Sequence, residues 1–254
     1  MFSIDHLNRL RRAEIEFLVS HLFKGARILE IGAGTGQQAS DLATRGFDVV
    51  AIEMYDSQYA SHRLFPIVNY DGRNIPFGNN SFDIVFSSNV LEHVEDLAQI
   101  NKEIRRVLKP GGYAVHIMPT HAWRFWTTLS ALPVALEHVW NLRGEIVPHR
   151  FFSRAEAERL VKTWLRVARH LVAPLAQRRH GERGNIMSEL WLFRPNWWRK
   201  VFRKNGFEIV SDEPMGLFYT GHMVFGQNWS LKKRAGVAPL LGSACHLFKV
   251  RPVP

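Results

Sequence analysis

The stretch Ile28–Gln38, ILEIGAGTGQQ, places three glycines, Gly32, Gly34 and Gly36, on alternate positions directly behind a short apolar run. Glycine tolerates positive φ and has no Cβ to hold a ligand away from the backbone. The run before it, ARILEI at Ala26–Ile31, reads as a buried strand. The run after it, QQASDLATRG, has helical spacing, with Ala39, Leu42 and Ala43 on one face and Gly46 as a stop. Strand, glycine turn and helix in that order aim backbone N–H groups at a ligand above the carboxyl end of the strand. A plain tight βα turn would carry the same residues, so the decision lies with what surrounds it.

Two features narrow the ligand. A dinucleotide fingerprint needs its third glycine one place later, where Gln37 stands, and a P-loop needs a Gly-Lys-Ser/Thr that is missing. Downstream, FDVVAIE at Phe47–Glu53 is a second buried strand ending in a carboxylate, placed to accept from both hydroxyls of a ribose. A third apolar run, FPIVN, leads into YDGRNIPF with Asp71 and Gly72. A fourth strand, Phe82–Phe86, passes through Ser88 and Asn89 into a helix bearing His93. Pro110 and Gly111-Gly112 of VLKPGG then stop that helix before a fifth strand, YAVHIMP.

From Gly25 to Pro119 the chain closely resembles the class I S-adenosylmethionine-dependent methyltransferases. The resemblance rests on an ordered set: E-x-G-x-G-x-G, an acidic end to strand two, D-x-x-x-I-P-F, F-D-I-V followed by L-E-H-V, and L-K-P-G-G. It implies a doubly wound, Rossmann-like α/β fold with a seven-stranded sheet, and S-adenosyl-L-methionine as cofactor. By the same resemblance Gly32, Gly34 and Gly36 pass beneath the methionine and ribose, and Glu30 helps hold the methionine ammonium. Glu53 takes the ribose hydroxyls, Asp71 accepts from the adenine amine with Gly72 beside the ring, and Asn89 lies by the methionine. Glu30 as a strand-end charge and Asn89 as a turn residue are the plainer readings of those two.

A chain of 254 residues with 46% hydrophobic content can bury a full core, and the expectation is one methyltransferase domain over residues 1–254. A single cysteine, Cys245, excludes disulfides and a cysteine-based zinc site, and the twelve histidines show no H-E-x-x-H spacing, so no metal is expected. MFSIDHLNRLRRAEIEF reads as an amphipathic helix with Asp5 as cap and Leu7, Leu10, Phe17 and Leu18 inward, not as a signal peptide, which points to the cytoplasm.

Charge is unevenly placed. Residues 141–204 carry the whole net +10 of the chain. They overlap a stretch, residues 120–192, expected to be a helical cap inserted between strand five and the last helix. Its first part, His121–Trp140, is apolar, carries tryptophans near both ends and is interrupted by Pro133, too broken for a spanning helix. Its second part opens on a capping box, Ser153 to Glu156, with Leu160, Trp164, Val167, Ala168 and Leu171 on one face. A lid helix packed on the core and a basic helix lying in an anionic membrane interface both fit that pattern. Beyond the cap, RPNWWRKVFRKNGFEIV and SACHLFKVRP resemble the last helix, the sixth strand and an antiparallel closing strand.

Methyl transfer from a sulfonium needs alignment, and a base where the acceptor is a hydroxyl or ammonium. His93 and His149 are the candidate bases, His93 first; a structural role near the cofactor is the plainer reading of His93, and a loop residue fits His149 equally well. The expected activity is methyl transfer to oxygen of a small or lipid-linked acceptor, with a membrane surface as the other partner and no specific nucleic acid. An RNA or DNA methyltransferase is the second reading, although "SSNV" after strand four is no N-P-P-Y tetrad. A non-catalytic binding protein on the same fold is the third.

Overall fold

A computed structural model describes residues 4–147, 153–172, 179–222 and 226–253. Seven strands form one sheet: β1 (Arg27–Ile31), β2 (Asp48–Met54), β3 (Ile67–Tyr70), β4 (Phe82–Ser88), β5 (Leu108–Pro119), β6 (Phe207–Pro214) and β7 (Cys245–Pro252). Their order across the sheet is β3-β2-β1-β4-β5-β7-β6. The first five are parallel, and β7 runs antiparallel between β5 and β6. Both faces are covered, so the central strands are apolar almost throughout rather than alternating. In β1, Leu29 and Ile31 face a core closed by α3 (Leu97–Val107) and α8 (Pro195–Lys204). Ile28 faces the opposite core, under α1 (Ile4–Val19) and α2 (Gln37–Thr44). Leu10 and Leu18 of α1 point inward as expected, while the side chains of Asp5 and Leu7 lie outside the described residues.

Two local expectations give way. The chain after β4 does not enter a helix at once: Leu91–His93 is a single 3-10 turn, and α3 starts only behind Asp96, whose carboxylate caps the Gln99 N–H at 2.9 Å. His93 therefore sits in a turn. The VLKPGG segment is not a loop between helix and strand either. α3 ends at Val107 and β5 begins at Leu108, with a register shift opposite Phe82–Ile84 that takes up the proline and glycines.

Between β5 and α8 lie α4 (His121–Asn141), α5 (Arg143–Ile146), α6 (Arg154–Val172) and α7 (Ile186–Leu192). Pro133 does not interrupt α4, which is one helix of 21 residues. No described helix is long and apolar enough to cross a membrane. α6 is capped by Ser153, which accepts from Glu156 N at 3.1 Å. Its buried residues are Glu156, Thr163 and Val167, so the expected inward face is corrected: Trp164, Ala168 and Leu171 point outward. A helix absent from the sequence reading, α9 (Leu231–Leu241), starts behind Ser230 and precedes β7.

Candidate active site

The strand order reverses direction between β1 and β4, and the carboxyl edge beside that point is where open α/β sheets bind ligands. Gly32 N and Ala33 N both donate to Ile52 O, at 2.9 and 3.1 Å, which ties the glycine turn to β2. Gly32, Gly34 and Gly36 have φ of 71°, 58° and 78°. At Gly36 a Cβ would stand 2.7 Å from Phe65 Cβ, so both the conformation and the space require glycine. This opens α2 directly onto the cradle, with no side-chain cap competing for its first N–H groups.

Glu53 is the last residue but one of β2, not its end as expected, and is already fixed in place: its Oε2 accepts from Gly34 N at 2.6 Å and its Oε1 from Met54 N at 2.9 Å. Each oxygen keeps a lone pair for a ribose hydroxyl. Glu30 is 1% exposed, and its Oε2 has no hydrogen-bond partner among the described residues. Burial pushes its carboxyl up to about 8, opposed by the Ala39 N–H and helped by the nearby Glu53 and Asp41 carboxylates. A buried, half-satisfied carboxylate beside a glycine cradle fits a cationic ligand group.

Asp71 follows β3 and folds onto itself: Oδ1 accepts from Asn74 N and Arg73 N, and Oδ2 from Asn74 Nδ2. These bonds lower its pKa. An adenine amine would share Oδ2 with Asn74. Met54 lies 3.5 Å from where a Cβ of Gly72 would stand, an apolar wall next to that carboxylate. Asn89 has φ 54°, tolerated by asparagine, and its N–H donates to Ile117 O at 2.8 Å. Its neighbour Val90 packs against Gly32.

The sequence reading missed a buried polar chain ending at Asn89. Arg11 Nη1 donates to Glu14 Oε2 at 2.6 Å, and Tyr219 OH donates to Glu14 Oε1 at 2.6 Å. The same hydroxyl lies 3.0 Å from Cys245 Sγ, which is 3.6 Å from Asn89 Oδ1. The available signal was Glu14 on the apolar stripe of α1, four residues after Leu10. Tyr219 carried none, because it falls between β6 and α9.

His93 N donates to Val90 O at 2.8 Å, and Val90 is the residue whose side chain packs on Gly32. The His93 ring meets His180 of the cap at 4.8 Å between centroids, and burial lowers its pKa. His149 lies outside the described residues.

The strand order and this carboxyl edge define the class I S-adenosylmethionine-dependent methyltransferase fold. Residues 29–116 match the family described as "Methyltransferase domain". A biotin biosynthesis bifunctional protein, BioHC, from Cellvibrio japonicus is 37% identical over 168 residues, 63% of this chain and 31% of that one. A demethylmenaquinone methyltransferase from Corynebacterium urealyticum is 38% identical over 93 residues, 36% of this chain and 40% of that one. The chain thus spans less than half the length of either relative. A SAM-dependent methyltransferase from Aquifex aeolicus shares the fold at a TM-score of 0.53, with 13% identity and both chains fully covered. S-adenosylmethionine, the cofactor of this fold class, brings a methyl group already activated on its sulfonium.

Proposed function

We propose that the protein transfers a methyl group from S-adenosylmethionine to an oxygen of a lipid-linked acceptor at an anionic membrane surface. Gly32, Gly34 and Gly36 would cradle the cofactor, Glu30 its ammonium, Glu53 its ribose, and Asp71 with Gly72 its adenine, while Asn89 would lie by the methionine. An oxygen acceptor loses its proton as the methyl arrives, and His93 would be the base that takes it.

The observation that carries the reading is the inverted face of the cap. On α4 the buried residues are Arg124, Thr127, Ser130, Ala131 and Ala135, small or polar. Phe125, Leu129, Leu132, Leu136 and Trp140, on one helical stripe, are 46–65% exposed. α6, packed on α4, turns Val161, Trp164 and Leu165 outward as well. Large exposed apolar surfaces mark interaction sites, and the α6 stripe lies within residues 141–204, which carry the net +10, with the α4 stripe directly before them. An anionic bilayer answers both features, since apolar side chains insert while each Lys or Arg near the surface adds about 1 kcal/mol. The Corynebacterium relative is named for the acceptor demethylmenaquinone, which is compatible with a lipid acceptor here.

The test has two arms. Labelled cofactor is incubated with cell extract split into lipid, nucleic-acid and small-molecule fractions, and label is expected in an alkali-characterised ether or ester of the lipid fraction. Label in RNA or DNA would overturn the reading. In the second arm, wild type is expected to co-sediment with anionic but not neutral vesicles at low salt. Leu136→Glu with Trp164→Glu should abolish that with little change in melting temperature. A wild type that stays in the supernatant removes the membrane from the proposal.

A further inference from the structure

The turn after β4 and a cap segment 87 residues further on converge on Glu92, His93 and His180. One ligand atom from each lies within 4.8 Å of the others. His93 Nε2 and His180 Nε2 are each 3.8 Å from the same atom, Glu92 Oε1. Glu92 is 1% exposed, and neither of its carboxylate oxygens has a hydrogen-bond partner among the described residues. A buried carboxylate left in this state is costly unless something charged comes to it. The two imidazoles are 41% and 34% exposed, so the cluster has one sealed side and one open side.

The supporting frame is built in detail. Glu189, buried and ion-paired with Arg124 at 3.1 Å, accepts from His180 N at 2.5 Å and Gly181 N at 2.7 Å. Glu182 N donates to Glu92 O at 2.9 Å, and the Arg183 guanidinium binds the carbonyls of Val94 and Leu91. Gly181 must be glycine, because a Cβ there would stand 2.8 Å from Glu92 O. Trp123 packs on the His180 ring at 4.6 Å between centroids. Two remote segments are therefore locked together by backbone contacts, and what they present jointly is two imidazoles around one orphaned carboxylate.

We propose that Glu92, His93 and His180 bind a divalent transition-metal ion of zinc or cobalt type. Two nitrogens and one carboxylate oxygen suit zinc, cobalt, iron and manganese, whereas magnesium and calcium take all-oxygen sets. Ligands at about 2.0–2.2 Å from such an ion lie roughly 3.4 Å apart, so the two 3.8 Å separations, and a third of up to 4.8 Å, close by turns of the exposed rings. Three protein ligands leave coordination positions on the open side, the arrangement of catalytic rather than structural sites. Resting on the oxygen-acceptor reading, those positions would take the acceptor oxygen and favour its anionic form, with His93 acting as ligand. Sequence spacing could not show the site, because His180 belongs to no motif with Glu92-His93.

The experiment uses full-length, tag-free, chelator-stripped protein, titrated with cobalt(II) by visible absorption and with zinc(II) in competition. About one equivalent of cobalt should bind with ligand-field bands, displaced by zinc. Loss of an outer partner already weakens metal sites about 10–100-fold, so His180→Ala should cost at least ~100-fold and bleach the bands. The cap also holds a histidine pair, His138 and His170, at 4.8 Å between ring centroids, which makes His138→Ala the control that should change nothing. Because Glu92 is buried and its variant can misfold, the half-exposed His180 carries the test. No cobalt uptake by wild type, unchanged affinity in His180→Ala, or loss in His138→Ala overturns the proposal. Calorimetry with S-adenosylhomocysteine runs in parallel, so that failure of the cofactor reading registers separately from failure of the metal site.

Discussion

The cofactor half and the cap obey opposite rules. In β1, β4 and β5 the large apolar side chains are inside, and polar groups gather at one carboxyl edge. In α4 and α6 most large apolar side chains are outside, and the interior holds Arg124, Thr127, Ser130, Glu156, Thr163 and Val167. Apolar residue type alone therefore says nothing about burial in this chain. Burial follows from whether a neighbouring element exists to cover the face, and the outward stripes of α4 and α6 have no such neighbour among the described residues.

The contrast breaks most easily at the core. Phe202 is fully buried, stacked on His116 and packed against Phe207 and Phe248. Phe202→Ala should destabilise by about 3–5 kcal/mol, read as a large fall in melting temperature. A loss below about 1 kcal/mol would mean that this face is not the core described.

Next in size is Glu53→Ala. On the proposed site it would remove charge-assisted bonds to the ribose, about 1.5–3 kcal/mol each, together with the anchor of Gly34 N. Affinity for S-adenosylhomocysteine should fall by at least roughly tenfold in calorimetry. Equal binding by mutant and wild type would remove Glu53 from the cofactor site.

A third effect depends on pH. Burial holds the Glu30 carboxyl protonated up to about 8, and a cofactor ammonium prefers the ionised form. Cofactor binding should then release a proton, and affinity should rise with pH by up to about tenfold per unit until about 8. The sign is opposite for the empty protein. A folded-state pKa above the unfolded value contributes stability at low pH that is lost as pH rises through the folded value. Glu30→Gln should flatten both profiles, and a profile unchanged by that substitution would assign the pH dependence to another group.

The smallest expected effect is the sharpest comparison. Leu136→Ala on α4 should change stability by no more than about 0.5 kcal/mol, since its side chain is mostly in solvent. Leu29→Ala, the same chemistry inside β1, should cost about 2–5 kcal/mol. Similar costs for the two leucines would show that α4 has a covering neighbour.

The cofactor half was legible because its signals are local. A glycine turn after β1, a carboxylate near the end of β2 and an asparagine just past β4 are each fixed by a few consecutive residues. Even there the register escaped: LKPGG proved to be the start of β5, and His93 fell in a 3-10 turn, because a ladder with β4 outweighed the turn propensity of proline and glycine. In α6 the sequence showed an amphipathic helix but not which face is inward. Trp164 and Val167 lie three residues apart, and only packing on α4 decides that Val167 is buried.

Sequence by itself determined the order of strands and helices up to Pro119, the cofactor class, and where the positive charge lies, since each follows from short spacings or from composition. Tertiary structure alone decided which groups meet: Glu14 with Tyr219 at 2.6 Å across 205 residues, and Glu92-His93 with His180 across the cap. The physical reason is that such meetings depend on how whole helices dock, through summed contacts over many side chains. No local run of residues encodes the distance between two points that the chain brings together only when it closes.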